Sequence, residues 1–192
     1  MAIPMLRHDG ARLLTSSVGM LVFVGSWSMM FAALFFSYAM LRVHTGRWPP
    51  GGVVLPLSLP TLNTALLLLS ALTMHRCSRA ARPGLYARVV PYLCATIVLG
   101  TLFLVLQVAT WIPLWEAGFT MRSGLHGGVF YLLTFFHGAH VLVGIVWLVS
   151  VLPGALHPGI LARRVVRLRM AGIFWHFIDA IWVFIFLGVY VF

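Results

Sequence analysis

Five long apolar runs, separated by short gaps that hold most of the arginines, limit what this chain can fold into. The runs cover residues 17–41, 55–74, 89–111, 128–152 and 170–192. Crossing the roughly 30 Å hydrocarbon core of a bilayer takes about 20 apolar residues in a helix. Four runs clearly exceed that. The second reaches it only when extended back to Leu55, which places Pro56 and Pro60 in its first turns. Proline is tolerated there, because its missing N–H would have had no helical partner. Inside lipid every backbone group must be paired within the protein, so a spanning chain is either helical or a closed barrel. Barrel strands alternate apolar and polar residues over about ten positions. These runs are unbroken, so the expected class is all-α: a polytopic membrane protein of five transmembrane helices in one domain, residues 1–192. Composition agrees. Hydrophobic residues make up 61% and charged residues 8% of the chain, whereas a soluble domain is roughly half apolar and about a quarter charged.

The net charge is +10, and all 13 basic residues are arginine. In a soluble protein such a balance would suggest nucleic acid. Here the arginines sit in the gaps between apolar runs, which is the pattern of a topology signal, so no nucleic-acid partner is expected. Arg7 and Arg12 precede the first run. Arg76, Arg79, Arg82 and Arg88 lie in the second gap, residues 75–88, and Arg163, Arg164, Arg167 and Arg169 lie in the fourth, residues 153–169. Those ten share one side of the membrane. Arg42, Arg47 and Arg122 lie on the other. The positive-inside rule then gives N-in and C-out. The first gap carries Trp48-Pro49-Pro50-Gly51-Gly52, a rigid then flexible turn at an interface. No cleavable leader is expected, because the first residues are mixed polar and basic and the first run is long enough to span. Cys77 is expected in a cytoplasmic loop and Cys94 in a helix, a placement that argues against a disulfide.

The chain has only three acids: Asp9, Glu116 and Asp179. Only Asp179 falls within an apolar run, about two turns inside the fifth. His176 is three residues earlier, on the same helical face. The two could form a proton relay or a structural pair that fixes helix packing, and one pair near an interface does not make a path across a membrane. The fourth run carries His137 and His140, which also share a face. Paired helical histidines suggest haem or metal ligation. A haem held by two helices needs a second imidazole opposite, and His44, His75 and His176 are expected near helix ends. Gly138 and Ala139 between the two histidines instead suit close helix packing. Asn63 and Gln107 read as buried amides that bridge helices. Gly19, Gly25, Ser26 and Ser28 read as small residues admitting a neighbouring helix. Trp27, between the serines, faces lipid or plugs a gap.

No nucleophile–base arrangement, zinc-binding helix or phosphate loop is present. Three acids are too few for paired-carboxylate catalysis. Ion-driven transport usually needs several intramembrane charges or interrupted helices.

Short stretches through the five runs, in order, resemble subunit III of the haem-copper oxidases. They are Gly19-Met20-Leu21-Val22-Phe23; Leu59-Pro60-Thr61-Leu62-Asn63-Thr64; Gln107 with an aromatic a few residues on; Phe135-Phe136-His137-Gly138-Ala139-His140-Val141-Leu142-Val143-Gly144; and Trp175-His176-Phe177-Ile178-Asp179-Ala180-Ile181-Trp182. The chain is similar to the five-helix bacterial form, which lacks the first two helices of larger members. The resemblance implies a non-catalytic accessory subunit in the bacterial inner membrane, within an oxidoreductase complex that reduces dioxygen to water and translocates protons. It implies no haem or copper in this chain, haem and copper in the partner subunits I and II, and bound phospholipid. His137, His140, His176 and Asp179 are then structural or proton-surface groups. Arg163, Arg164 and Arg167 are candidates for lipid phosphates. In two places the chain departs from the family pattern. Trp27 stands where most members carry a buried acid in this helix, and Thr110 stands where a second acid follows the glutamine. The alternatives are a related accessory protein of a nitric oxide reductase, a haem-binding cytochrome using His137 or His140, and a small transporter.

Overall fold

The computed structural model describes the backbone of residues 3–45, 57–81 and 85–191, and the side chains of residues 15–44, 57–81, 85–157 and 165–191. Five helices follow one another: α1 (Ile3–Thr45), α2 (Ser58–Ala80), α3 (Val89–Glu116), α4 (Leu125–Ala155) and α5 (Pro158–Ile185). A 3₁₀ turn, Tyr86–Arg88, leads into α3, and α5 widens into a π-helical segment, Phe186–Val191. No strand occurs among the described residues. Four stretches are long and apolar enough to cross a membrane: Thr15–His44, Tyr86–Glu116, Leu125–Ala155 and Val165–Val191.

The exception is α2. Its 23 residues span about 34 Å at 1.5 Å per residue, so length does not disqualify it. Thr61, Asn63, Thr64, Ser70 and Thr73 interrupt its leucines and lower its hydropathy. Pro60 sits in the first turn as expected, and Pro56 lies outside the described residues. The second helix runs on past residue 74 to Ala80, which corrects the expected boundary and the position of Cys77. Cys77 is inside α2 and fully buried, with Sγ 3.6 Å from the carbonyl of Val89. Both cysteines are free thiols.

The gap expected at residues 153–169 is also mostly helix. α4 continues through Pro153 to Ala155, and α5 begins at Pro158. Proline is pre-set for the first helical position, and arginine is a good helix former. The arginine-rich stretch therefore extends the fifth helix and does not form a loop. Between α3 and α4 the chain makes a compact turn. The amide of Phe119 donates to Leu114, Ser123 Oγ donates to Gly118 O at 2.8 Å, and Tyr131 Oη donates to Phe119 O at 2.6 Å.

α5 is the hub and packs against α1, α2 and α4. α2 lies along α3, α3 along α4, and α4 along α1. The core is built around Trp175 and Trp182, which are 1% and 0% exposed. The Trp175 ring lies so close to α3 and α4 that a Cβ at Gly100 would meet it at 2.6 Å and one at Gly144 at 3.0 Å. A side chain at Gly100 would overlap the indole and one at Gly144 would press on it, so glycine at both lets the three helices close around the ring. The small residues of α1 do not serve that purpose. Gly19 and Gly25 have nothing within 4 Å of an added Cβ, and Ser26 is exposed. Within this chain the expectation that they admit a neighbouring helix is not met at Gly19, Gly25 and Ser26, whereas Ser28 is half-buried and lines a groove between α1 and α5.

Candidate functional site

The polar groups of the interior sit on the helices facing α5, and two tryptophans organise them by the same device. Trp175 donates its indole N–H to Ser70 Oγ at 3.1 Å, and Ser70 donates to Leu67 O at 2.7 Å. Trp182 donates to Thr64 Oγ1 at 3.0 Å, and Thr64 donates to Pro60 O at 2.8 Å. In each case a hydroxyl accepts from the other helix and returns its own proton to its own backbone. This satisfies the one polar atom of a buried indole. One turn beside them, Asn63 Nδ2 donates to Gln107 Oε1 at 3.2 Å, both side chains being buried. The two amides therefore bridge helices as expected, α2 to α3. Thr73 and Thr96 share a hydrogen bond at 2.8 Å along the same seam.

His137 and His140 lie on one helix but face different neighbours. His137 is fully buried, its ring 5.1 Å from Trp182 and 5.7 Å from Phe103. Among the described residues neither of its ring nitrogens has a hydrogen-bond partner. His140 packs edge-on against Trp27 at 4.2 Å and Phe31 at 5.3 Å. Its Nδ1 lies 2.6 Å from Phe136 O, so that nitrogen carries the proton. Trp27 packs its ring beside His140 while remaining partly exposed. Both imidazoles are enclosed by aromatic rings. Among the described residues no group of three histidines, cysteines or acids could hold a metal.

Thr110 is buried and donates to Leu106 O at 2.9 Å, a bond within its own helix. His176 and Asp179 are paired as expected, with Nδ1 3.8 Å from Oδ2. That distance is too long for a hydrogen bond. Asp179 is 6% exposed, on the inner side of α5. Sequence reasoning also missed His75. Its ring centroid is 6.4 Å from that of His176, which brings α2 into the same cluster. An i, i+3 signal finds neighbours on one helix but cannot show what a second helix brings. Arg167 is exposed, and the side chains of Arg163 and Arg164 lie outside those described.

Comparison with known proteins gives this arrangement a family. The family model for cytochrome c oxidase subunit III matches residues 7–192. A cytochrome c oxidase subunit 3 from Thermostichus vulcanus is 34% identical over 91% of this chain and 86% of its own length. The proteins of that name from Pongo abelii and Mus musculus are 31% and 30% identical over 90% of this chain and 67% of theirs. The helices that pack around Trp175 and Trp182 are thus those of a known family, and the chain belongs to the cytochrome c oxidase subunit III family.

Proposed function

We propose that this chain is a non-catalytic accessory subunit of a haem-copper terminal oxidase, seated beside subunits I and II in a bacterial plasma membrane. The match to the subunit III family along almost the whole chain carries this reading. The interior supports it. Its polar side chains bridge helices or lie against aromatic rings, as befits a scaffold. On this reading haem and copper belong to the partner subunits, and the reduction of dioxygen with proton translocation is the work of the complex.

α2 is the fifth span. Its polar residues point at α3 and α5, so its leucines are free to meet lipid, and Leu62, Leu68, Leu69 and Leu72 are exposed. The arginine asymmetry supports N-in and C-out. Phospholipid is a bound component. An apolar groove of about 580 Å³ between α1 and α5, lined by Phe31, Phe35, Ile181 and Phe184, has the chemistry to take an acyl chain. Arg167, with Arg163 and Arg164 nearby in sequence, supplies charge for phosphates at the cytoplasmic end.

The test is a mild-detergent purification of the tagged chain, with a visible spectrum and mass spectrometry of the eluate. A haem-bearing oxidase subunit should co-elute, and all colour should leave with that subunit when it is stripped away. A chain that elutes alone, coloured or colourless, would overturn the reading.

A further inference from the structure

Several buried polar atoms have no hydrogen-bond partner among the described residues, and five of them gather in one place: Asn63 Oδ1, Gln107 Nε2, both ring nitrogens of His137, and Tyr190 Oη. They come from α2, α3, α4 and the π-helical segment after α5, and they surround one ring. His137 lies 5.1 Å and Tyr190 6.5 Å from Trp182, centroid to centroid. Trp182 donates to Thr64, the neighbour of Asn63, and Asn63 is bonded to Gln107. The Tyr190 hydroxyl faces the Gln107 amide without meeting hydrogen-bond geometry. Phe103, one turn before Gln107, stands edge-on to both His137 and Trp182.

Reassigning atoms does not remove the deficit. Turning both amides round would exchange donor and acceptor in the Asn63–Gln107 bond and still leave one oxygen and one nitrogen over. A neutral imidazole carries one N–H and one bare nitrogen in either tautomer. Tyr190 keeps a hydroxyl proton to give. Such groups are costly to leave unpaired inside a bundle, and proteins pair them with other protein groups or with ordered water.

The unpaired groups also define what fits them. They mix donors with acceptors, and no carboxylate or guanidinium is among them. A metal ion asks for acceptors only, and an anion for donors only. An acyl chain offers neither. Water gives two hydrogen bonds and accepts two, and a buried water typically bonds about three otherwise unpaired groups.

We propose that Asn63, Gln107, His137 and Tyr190 enclose a binding site for internal water beside Trp182, and that one water or a small cluster completes the hydrogen bonding of all four side chains. The inference concerns only the interior of this chain and stands apart from the accessory reading. It gives His137 a task. Direct side-chain bonds hold α2 to α3 and to α5, whereas the imidazole ties α4 to its neighbours through water.

The experiment is a cryo-EM map of the native complex, sharp enough to show ordered water elsewhere in this bundle. Beside Trp182, one or more peaks should lie about 2.7–3.2 Å from polar atoms of His137, Gln107, Asn63 and Tyr190. A second map, of Tyr190→Phe, keeps the ring and its packing and removes one partner of the water. There the peak nearest position 190 should fall at least two-fold against the other buried waters. Absence of any peak beside Trp182 while other buried waters are visible would overturn the site, as would direct pairing of these side chains with protein groups. An unchanged peak in Tyr190→Phe would overturn it as well.

Discussion

α1 and α2 present opposite solutions to life in a bilayer. α1 is a 43-residue helix whose apolar stretch, Thr15–His44, is ample for a span, yet its most apolar part is only 11% buried in the chain, against 44% for that of Val165–Val191. α2 is just over half as long and too polar to pass as a span by composition. It is nevertheless the more firmly held of the two. Asn63, Thr64, Ser70 and Thr73 each reach another helix. α1 relies on aromatic contacts, Phe23 with Phe174 and Trp27 and Phe31 with His140, and on one polar tie at its far end. There Tyr38 and Arg42 donate to Gly188 O at 2.8 and 3.1 Å. In lipid the hydrophobic effect does not drive helices together, so packing and interhelical hydrogen bonds decide which helix is central. A helix can therefore look less like a span because it is better integrated.

The largest way to break this contrast is at the hub. Trp175→Ala removes the ring that fills the space left by Gly100 and Gly144, and it leaves Ser70 without its donor. The cost should be about 3–5 kcal/mol, the usual range for deleting a buried large aromatic. Reversible unfolding of the isolated chain in bicelles measures it. A cost below about 1 kcal/mol would mean that α2, α3 and α4 do not depend on the indole for their approach.

The contrast also shows which parts of the fold could be read from sequence alone. Four spans follow directly, because an unbroken apolar run has one meaning in a bilayer. The Asn63–Gln107 bridge was legible in kind, since buried amides seek each other, but the pairing needed the antiparallel register of α2 and α3. The end of α2 was misplaced because Arg76 and Arg79 were read as lying beyond the helix, whereas the helix continues through them to Ala80. The same reading of arginine as a helix end turned residues 158–169 into a loop. The small residues of α1 misled for a different reason. Sequence shows where a backbone could be approached, and only the fold shows that Gly100 and Gly144, not Gly19 and Gly25, are approached. Trp27, recognised as an unusual occupant of its position, turned out to lie against His140, a contact no spacing on one helix could reveal.

A medium-sized effect sharpens the comparison on the side of α2. Asn63→Leu and Gln107→Leu each remove one end of the amide bridge. Measured singly and together as a double-mutant cycle, they should show a coupling near 0.6 kcal/mol and no more than about 1.7 kcal/mol, the range found for interhelical hydrogen bonds in membranes. The same bicelle unfolding assay reads it. Zero coupling would mean that the bond at 3.2 Å contributes nothing to holding α2 against α3. The polar character of α2 would then need another explanation.

The smallest effect lies on α1 and tests the other half of the contrast. Ser26 is exposed on the outward face and donates only to Val22 O, a bond within its own helix. Replacing it by leucine removes no link to another helix. Leucine is also a better helix former than serine, and it is at ease against lipid. Ser26→Leu should therefore change the stability of the isolated chain by less than about 0.5 kcal/mol, and in the assembled complex the chain should be retained as fully as the unmodified one. Size exclusion of the complex after a graded detergent challenge reads that retention. Because α1 is so little buried, its outward face is the one most easily mistaken for an interface. Loss of the chain from the complex with its own stability unchanged would show that α1 is covered by protein after all.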